Sequence, residues 1–372
     1  MFMWFFYLFA FLFFLPLPTF AVDIISERLS IYGYSAFNFC ISTKNKIGLG
    51  LPYECQSKGG SFAQALFASF FEFEPFEKAR FLSEIEMKYV PELEIFGKIE
   101  AKKNQDKYEV EYDDKGAGKV LVEGFGEIDI AFAFFEYRFI DLLVFRAGKY
   151  LNPFGLYLEK RDAVPVYLFA LLPSIYRKLP DIGTLIPLYN HGIQLRGELP
   201  FLGYVVQVAN GRGSVANAID RNADKAIGAH IFARVPGGKL TGSMIGGDFY
   251  TDKDFDNKRQ TTFGGFALLS ISEVGPGHLQ LLGEMAYTRI AEVKAVAGYG
   301  LLGYSLTIQS FALTPYFITD GFAKIKAKVT NSIGGGLAFD YNTLRIKTQV
   351  LNVREKNGDS SIVFAFGIAL AF

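Results

Sequence analysis

Residues 361–372 read SIVFAFGIALAF, and two alternating sets of side chains in this stretch indicate the fold class. The even positions, from Ile362 to Phe372, are all large and apolar, whereas the odd positions are mostly small. A period of two is typical of a β-strand with two different faces. In water such a strand would be an aggregation-prone edge, whereas a closed membrane barrel pairs every edge and covers the apolar face with lipid. The stretch therefore predicts a transmembrane β-barrel.

The composition of the whole chain fits a barrel better than a bundle of membrane helices. Half of the 372 residues are hydrophobic and 16% are aromatic, yet 20% are charged, which suits strands that are apolar on one face only. The formal net charge is zero, so no nucleic-acid partner is expected. His191, His230 and His278 lack metal-ligand spacing, so we expect no metal. The passive channel predicted below implies no cofactor.

Residues 1–21 form an uncharged, strongly apolar run that ends in LPLPTFA. Thr19 and Ala21 occupy the small-residue positions of a signal-peptidase site, so we expect a signal peptide over 1–21 and a mature barrel over 22–372. The alternative is a membrane anchor, since about twenty apolar residues can span a bilayer. Export of a chain built from strands predicts the outer membrane of a Gram-negative cell.

The two cysteines of the chain are Cys40 and Cys55. In an oxidising compartment they can form one disulfide that closes a short loop, which a chain-entropy estimate values at about 3 kcal/mol. The alternative is a pair of free thiols. Because the chain is predicted to be exported, we favour the disulfide.

The same alternation recurs along the chain and predicts an all-β, antiparallel, up-and-down barrel of about sixteen strands, with a range of 14–18. Short and long connections alternate, as periplasmic turns and external loops do. Pro91 is a candidate break in the third strand, and a switch of the apolar face predicts a bulge near Phe134 and Phe135. The predicted strands are 29–39, 62–74, 80–101, 120–139, 142–151, 191–199, 204–210, 225–235, 240–251, 261–272, 278–290, 297–308, 311–322, 332–341, 344–354 and 361–372.

Two motifs narrow the family: residues 145–155 read FRAGKYLNPFG, and 189–213 read YNHGIQLRGELPFLGYVVQVANGRG. They resemble the phosphate-selective porin family (porins O and P), in which a strand R-x-G-[QK]-[FY]-x-x-P-[FW]-G leads into a long loop and a glycine-containing strand returns. The resemblance implies a sixteen-stranded trimeric channel whose third loop folds into the pore. An aromatic last residue also resembles outer-membrane barrels, which implies that Phe372 is the assembly signal. The matching residues are Arg146, Gly148, Tyr150, Pro153, Phe154 and Gly155, then Gly192, Ile193, Leu195, Gly197, Asn210 and Gly211.

The long third loop is residues 156–190, a connection long enough to be a candidate functional segment. Its apolar piece, 164–175, would be poorly placed in water, so we expect it to fold against the inner wall and narrow the lumen. The flanking basic residues are Lys160, Arg161, Arg177 and Lys178, and the opposing acidic residues are Glu159, Asp162 and Asp181.

Charged side chains on the water-facing side of the strands would line the channel and set its ion selectivity. A phosphate channel needs an excess of basic charge, and this set is mixed, so it supports a porin more than it supports phosphate. For each arginine, the alternative is a wall residue paired with a neighbouring carboxylate. The basic candidates are Arg146, Arg196, Arg345 and Lys347, and the acidic ones are Glu84, Glu86, Glu127, Asp129, Glu198 and Glu284.

We therefore predict a passive diffusion channel for ions and small hydrophilic solutes, with anions such as phosphate implied by the resemblance, and no enzymatic activity. The expected partners are outer-membrane lipid and lipopolysaccharide, the barrel-assembly machinery and further copies in a homotrimer. Two other classes stay open. One is a closed structural or adhesive barrel. The other is a membrane-embedded hydrolase, which would have to bring Ser332 or Ser305 to a histidine and an orienting group.

Overall fold

The computed structural model contains a closed barrel of sixteen antiparallel strands, which confirms the predicted fold class and strand number. The predicted signal peptide, 1–21, lies outside the described residues. Among the described residues, no helix has the length and apolar character needed to cross a membrane. The residues that the structure describes are 28–44, 55, 60–89, 93–96, 98–104, 107–113, 119–122, 127–161, 163–179, 183–210, 224–253, 258–324, 329–355 and 358–372.

Sixteen of the strands form the barrel, and β1 pairs with β22 to close it. Six others form the two-stranded sheets β4–β7, β5–β6 and β10–β11. Three short 3-10 helices cover Leu158–Lys160, Val164–Val166 and Ser174–Tyr176. In chain order the strands are β1 (Leu29–Ser42), β2 (Ser61–Phe76), β3 (Ala79–Tyr89), β4 (Leu93–Phe96), β5 (Lys98–Asn104), β6 (Lys107–Asp113), β7 (Lys119–Val122), β8 (Glu127–Ile140), β9 (Leu143–Leu151), β10 (Lys178–Leu179), β11 (Gly183–Thr184), β12 (Tyr189–Glu198), β13 (Leu202–Asn210), β14 (Lys225–Arg234), β15 (Met244–Lys253), β16 (Arg259–Val274), β17 (Gly277–Ile290), β18 (Val293–Ile308), β19 (Phe311–Lys324), β20 (Val329–Tyr341), β21 (Leu344–Glu355) and β22 (Ser360–Ala371).

The terminal strand β22 has the two faces that its sequence predicts. Ile362 is 52% exposed on the outer wall, whereas Val363 and Ala369 are fully buried on the inner side. The same division holds around the barrel, where the exposed large side chains are apolar and many buried ones are polar. Because every strand edge is paired and the outer face is apolar, the barrel is of the membrane-spanning kind.

The third and fourth predicted strands are wrong in extent. β3 ends at Tyr89. The second half of the predicted strand 80–101 contributes instead to β4 and β5, which pair with β7 and β6 in two small sheets separate from the barrel sheet. β8 therefore begins at 127 instead of 120. The predicted strand 240–251 begins at 244, because the turn before it contains Gly238 and Gly242 with positive φ. The other bounds differ from the predicted ones by at most four residues.

The bulge in β8 lies at Ala131, not at the predicted Phe134 and Phe135. Glu84 pairs with Phe132 while Ile85 pairs with Ile130, so Ala131 is the extra residue. The position follows from packing, because Ile128 and Ile130 before the bulge are exposed on the outer wall, whereas Phe132 and Phe134 after it are buried inside the barrel.

Cys40 and Cys55 form a disulfide across the connection between β1 and β2. Both side chains are buried. Cys40 lies beside Ala365 of β22, so the disulfide is next to the seam where the first and last strands close the barrel.

Loss of this disulfide is expected to lower the thermal stability of the barrel. The two cysteines are 15 residues apart, and a loop of about that length is worth about 3 kcal/mol in chain entropy. The measurement is the temperature at which folded gel mobility is lost, for the wild type and for the Cys40→Ser/Cys55→Ser variant, each with and without reductant. Reductant should lower the transition temperature of the wild type to that of the variant and leave the transition temperature of the variant unchanged. One common temperature for all four samples would contradict the prediction.

Candidate functional site

Residues 152–188, which connect β9 to β12, are called the inner segment below. Its two ends are tied together at Asn152, whose backbone N–H donates to the Leu188 carbonyl over 2.8 Å and whose Nδ2 donates to the Pro187 carbonyl over 3.2 Å. Gln207 of β13 donates from Nε2 to the Asn152 Oδ1 over 2.7 Å. The inner segment therefore leaves the wall and returns to it at one hydrogen-bonded neck.

The turn NPFG explains how the inner segment departs from the wall. The Phe154 ring is buried against Gly264 of β16, where a Cβ atom would lie 2.5 Å from the ring. Gly155 has φ +65°, and a Cβ atom there would lie 2.6 Å from Oε2 of Glu284. Glycine is required at 155 both by the backbone conformation and by the close approach of this carboxylate.

Glu284 of β17 contacts both limbs of the inner segment, the outgoing limb that follows β9 and the returning limb that leads to β12. We call the cluster of Glu284, Leu156, Tyr176 and Tyr299 the Glu284 clasp. Its Oε1 accepts hydrogen bonds from the Leu156 backbone N–H over 2.9 Å and from the Tyr299 hydroxyl over 3.1 Å. Its Oε2 accepts a hydrogen bond from the Tyr176 hydroxyl. Burial and the Glu284 carboxylate raise the pKa of Tyr176 well above its usual value, so this phenol stays protonated and donates.

Asp320 of β19 holds the returning limb. Its Oδ1 accepts hydrogen bonds from the Ser174 hydroxyl over 2.6 Å and from the Ser174 backbone N–H over 3.0 Å. Arg177 Nη1 lies 3.8 Å from Oδ2 of the same carboxylate. Burial lowers the pKa of Arg177, and Asp320 opposes that effect by stabilising the charged form.

Two basic residues of β21 bind the part of the inner segment nearest the short turn 342–343. Lys347 is 1% exposed, and its Nζ donates to the carbonyl of Val164 over 2.7 Å and to that of Tyr167 over 3.2 Å. It also lies 4.0 Å from the centre of the Tyr167 ring, a cation–π contact. Arg345 donates to the Pro165 carbonyl.

The apolar piece of the inner segment packs against the inner wall. Phe169, Leu171 and Ile175 are buried in one cluster with wall residues of β18, β19 and β21. Burial of each such side chain contributes about 1.5–3 kcal/mol. The wall residues in the cluster include Tyr299, Leu301, Tyr316, Ile318 and Leu351.

Opposite charges alternate along the inner wall from β2 to β12, in what we call the charge ladder. It begins with Glu72 and Arg80, passes through Glu136 and Arg146, and ends with Glu159 of the inner segment and Arg196. The successive distances between nitrogen and oxygen atoms are 3.0 Å for Glu72–Arg80, 2.9 Å for Arg80–Glu136, 2.8 Å for Glu136–Arg146, 3.5 Å for Arg146–Glu159 and 3.2 Å for Glu159–Arg196.

Glu159 is the point at which the charge ladder meets the inner segment. Its Oε1 contacts both Arg146 and Arg196. Burial alone would raise the pKa of this carboxyl, but the guanidinium groups of Arg196 and Arg146 overcome burial and hold the pKa below its usual value. The carboxylate is therefore charged at neutral pH.

The predicted basic residues fall into two groups on different parts of the wall. Arg146 and Arg196 belong to the charge ladder, whereas Arg345 and Lys347 bind the backbone of the inner segment. Arg177 faces Asp320, Lys160 is exposed and Arg161 is partly exposed. The side chains of Lys178 and Glu127 and the residues Asp162 and Asp181 lie outside the described part of the chain.

The predicted acidic residues are spread along the height of the barrel. Asp129 Oδ2 lies 4.0 Å from the Nζ of Lys149, and Glu198 Oε1 lies 2.6 Å from Nη1 of Arg234. Glu84 and Glu86 are buried on β3, and Glu284 forms the clasp.

Several residues of the site were not predicted as such. Glu72, Arg80 and Glu136 share the inward side of their strands, and this common parity could have identified them. Asp320 is a lone acid between Ile318 and Phe322 on an otherwise apolar inner face, which is the signal of a buried contact.

Within the described residues, neither Ser305 nor Ser332 is hydrogen-bonded to a histidine. His230 pairs with Asp248 over 2.6 Å, whereas His278 pairs with Ser270 over 3.0 Å, at a different level of the wall. Ser305 bonds Thr314, and Ser332 lies beside Asp320 in the strand register. The described ranges also contain no group of three or more His, Cys, Asp or Glu side chains arranged to hold a metal.

No family model and no curated protein matches the sequence of this chain. Solved structures do match its fold. OmpT, an outer membrane protein of Vibrio cholerae, aligns with a TM-score of 0.56 at 9% identity over 94% of this chain and 100% of its own. An anion-selective porin from Comamonas acidovorans aligns with a TM-score of 0.56 at 9% identity over 92% of this chain and 99% of its own. Salmonella typhi OmpF, in complex with daunomycin, aligns with a TM-score of 0.53 at 10% identity over 92% of this chain and 97% of its own.

These similarities concern the fold, because each sequence identity is 10% or lower. The resemblance to the phosphate-selective porins is not confirmed by them and stays a prediction. What the barrel, its apolar outer face and the alignments establish together is a sixteen-stranded barrel of the kind found in porins and other bacterial outer-membrane proteins.

Proposed function

We propose that this protein is a porin of the Gram-negative outer membrane, a passive channel for ions and small hydrophilic solutes. The observation that carries the proposal is the partial exposure of charged side chains inside the barrel. The side chains of Arg80, Glu159 and Arg196 are 34%, 30% and 27% exposed. Charges are kept away from water at a large energetic penalty, and these charges retain access to water within the lumen.

The inner segment narrows the water-filled path without closing it. It packs mainly against β16–β21, and Val164 extends the contact to β22, β1 and β2. The charge ladder occupies the other side, on β2, β3, β8, β9 and β12. Solutes therefore pass along the exposed side of the charge ladder, with Glu159 and Arg196 at the constriction. Arg345 and Lys347 position the inner segment and do not face the solute.

The charge ladder argues against strong selection of phosphate. It contains three glutamates and three arginines, so its formal charges cancel. A phosphate path needs surplus cationic donors. We propose a channel of weak anion–cation selectivity, and any preference for phosphate rests on the motif resemblance alone.

The assembly of the channel follows the same proposal. Residues 1–21 direct export, the barrel-assembly machinery inserts the chain among lipid and lipopolysaccharide, and three copies form the porin. Phe372 serves as the assembly signal. In the structure its ring stacks on Phe67 with centroids 5.3 Å apart, and its backbone exchanges two hydrogen bonds of 2.9 Å with Gly33.

Single-channel recording in a planar bilayer tests the channel. The purified, folded protein should produce stepwise increases in conductance, because a passive pore needs neither a cofactor nor an energy source. Heat-denatured protein in the same detergent is the control and should produce none. A folded protein that inserts without conducting would contradict the porin and favour a closed structural barrel.

A further inference from the structure

We propose that the charge ladder selects small zwitterions, such as free α-amino acids, over neutral and singly charged solutes of the same size. The inference rests on the proposed channel function. It starts from the alternation of sign along the charge ladder, in which each ionic group lies within 3.5 Å of a group of opposite charge.

A simple ion gains little from such a wall. Near any one arginine it meets a glutamate within a few ångströms, so attraction and repulsion nearly cancel. A zwitterion carries both charges a few ångströms apart. It can place its carboxylate at an arginine and its ammonium group at the neighbouring glutamate, and both contacts are then attractive.

Glu159 and Arg196 offer the groups for this contact. Arg196 contacts Glu159 through Nη1, and Arg146 contacts the same oxygen, Oε1. Both ion pairs therefore leave Oε2 of Glu159, and Nε and Nη2 of Arg196, outside the contact. A guanidinium group binds a carboxylate through two nitrogens, so Nε and Nη2 suit the carboxylate of the solute, and Oε2 suits its ammonium group.

The other members of the charge ladder position this pair. The side chains of Arg146 and Glu136 are only 10% and 9% exposed, so they hold Glu159 and do not reach the solute themselves. Addition of a zwitterion to Glu159 and Arg196 introduces no net charge and requires no ion pair to break. The contact is partly exposed to water and therefore weak, which lets the solute leave again.

Solute entry into proteoliposomes tests the proposal, with swelling rates compared for glycine, neutral glycolamide, anionic glycolate and cationic ethanolamine. Glycine should enter the wild-type vesicles about threefold faster than the other three solutes, the size of effect that weak exposed ion pairs support. Glu159→Gln and Arg196→Gln should each reduce this ratio to about one, since each removes one half of the contact. Lys239→Gln, at an exposed periplasmic turn, is the matched control and should retain the wild-type ratio.

The outcomes separate the two proposals. If no solute enters, the channel function fails. If glycolamide enters and glycine is not preferred, only the selection of zwitterions is overturned. A glycine preference that survives in both folded variants, checked by their gel mobility, would also overturn it. Should one variant fail to fold, the other gives the result, because the two residues lie on separate elements, the inner segment and β12.

Discussion

Replacement of Glu284 by alanine is expected to release the inner segment from the wall and to raise single-channel conductance roughly twofold or more, since an unobstructed sixteen-stranded barrel encloses a wide aqueous channel. The Glu284 clasp accepts donors from both limbs, Leu156 and Tyr176, and from Tyr299 of the wall. Loss of the carboxylate leaves all three donors without this acceptor in a buried place. Each such donor costs about 1–3 kcal/mol when left unpaired.

Recordings in planar bilayers measure the effect, and Glu273→Ala is the matched control. Glu273 is an exposed glutamate whose carboxylate pairs with Lys239 at a short turn, away from the inner segment. Its variant should conduct like the wild type. If the folded Glu284→Ala variant has the same conductance and the same open-channel current noise as the wild type, the inner segment is held without the clasp.

Replacement of Lys347 by methionine is expected to free the part of the inner segment that lies nearest the short turn 342–343. Methionine retains most of the apolar volume but cannot donate to the carbonyls of Val164 and Tyr167, which lie 2.7 and 3.2 Å from Nζ. The two carbonyl acceptors then lose their lysine donor, at about 1–3 kcal/mol for each group left unpaired where it is buried. Residues 164–167 should move away from β21 and become more accessible from the lumen.

Thiol labelling measures this movement. The two native cysteines form a disulfide, so a Val166→Cys substitution supplies one free thiol next to the Lys347 contacts. Its reaction with a membrane-impermeant maleimide should be several-fold faster when Lys347→Met is also present. Lys294→Met, an exposed substitution on β18, is the control and should not change the rate. Equal labelling in all backgrounds would contradict the role given to Lys347.

Most of the barrel could be predicted because side chains alternate between the two faces of a strand. The alternation in the sequence therefore shows directly which side chains face lipid. Ile362 and Val363 have neighbouring positions and opposite environments, as their sizes predict. The predicted third strand, 80–101, fails because alternation indicates a strand and does not indicate its partner. Its second half does contribute to two strands, β4 and β5, but these pair with β7 and β6 and not with strands of the barrel.

The inner site was less predictable because its contacts join distant parts of the chain. Parity placed Arg345 and Lys347 on the inner wall, but only the path of the inner segment shows that they bind backbone carbonyls. Arg146 was expected to face the solute, and it is instead buried between Glu136 and Glu159. No local sequence pattern predicts these backbone and carboxylate partners.

The position of the anchors in the chain has a consequence for biogenesis. Glu284, Asp320 and Lys347 lie 128, 146 and 183 residues beyond the inner-segment residues that they bind. A chain made and delivered from its N-terminus therefore presents the inner segment long before the strands that receive it. Until β17, β19 and β21 are in place, the apolar piece 164–175 has no wall to bury it, and it must be kept from aggregating. The inner segment can therefore reach its final position only after these three strands have formed.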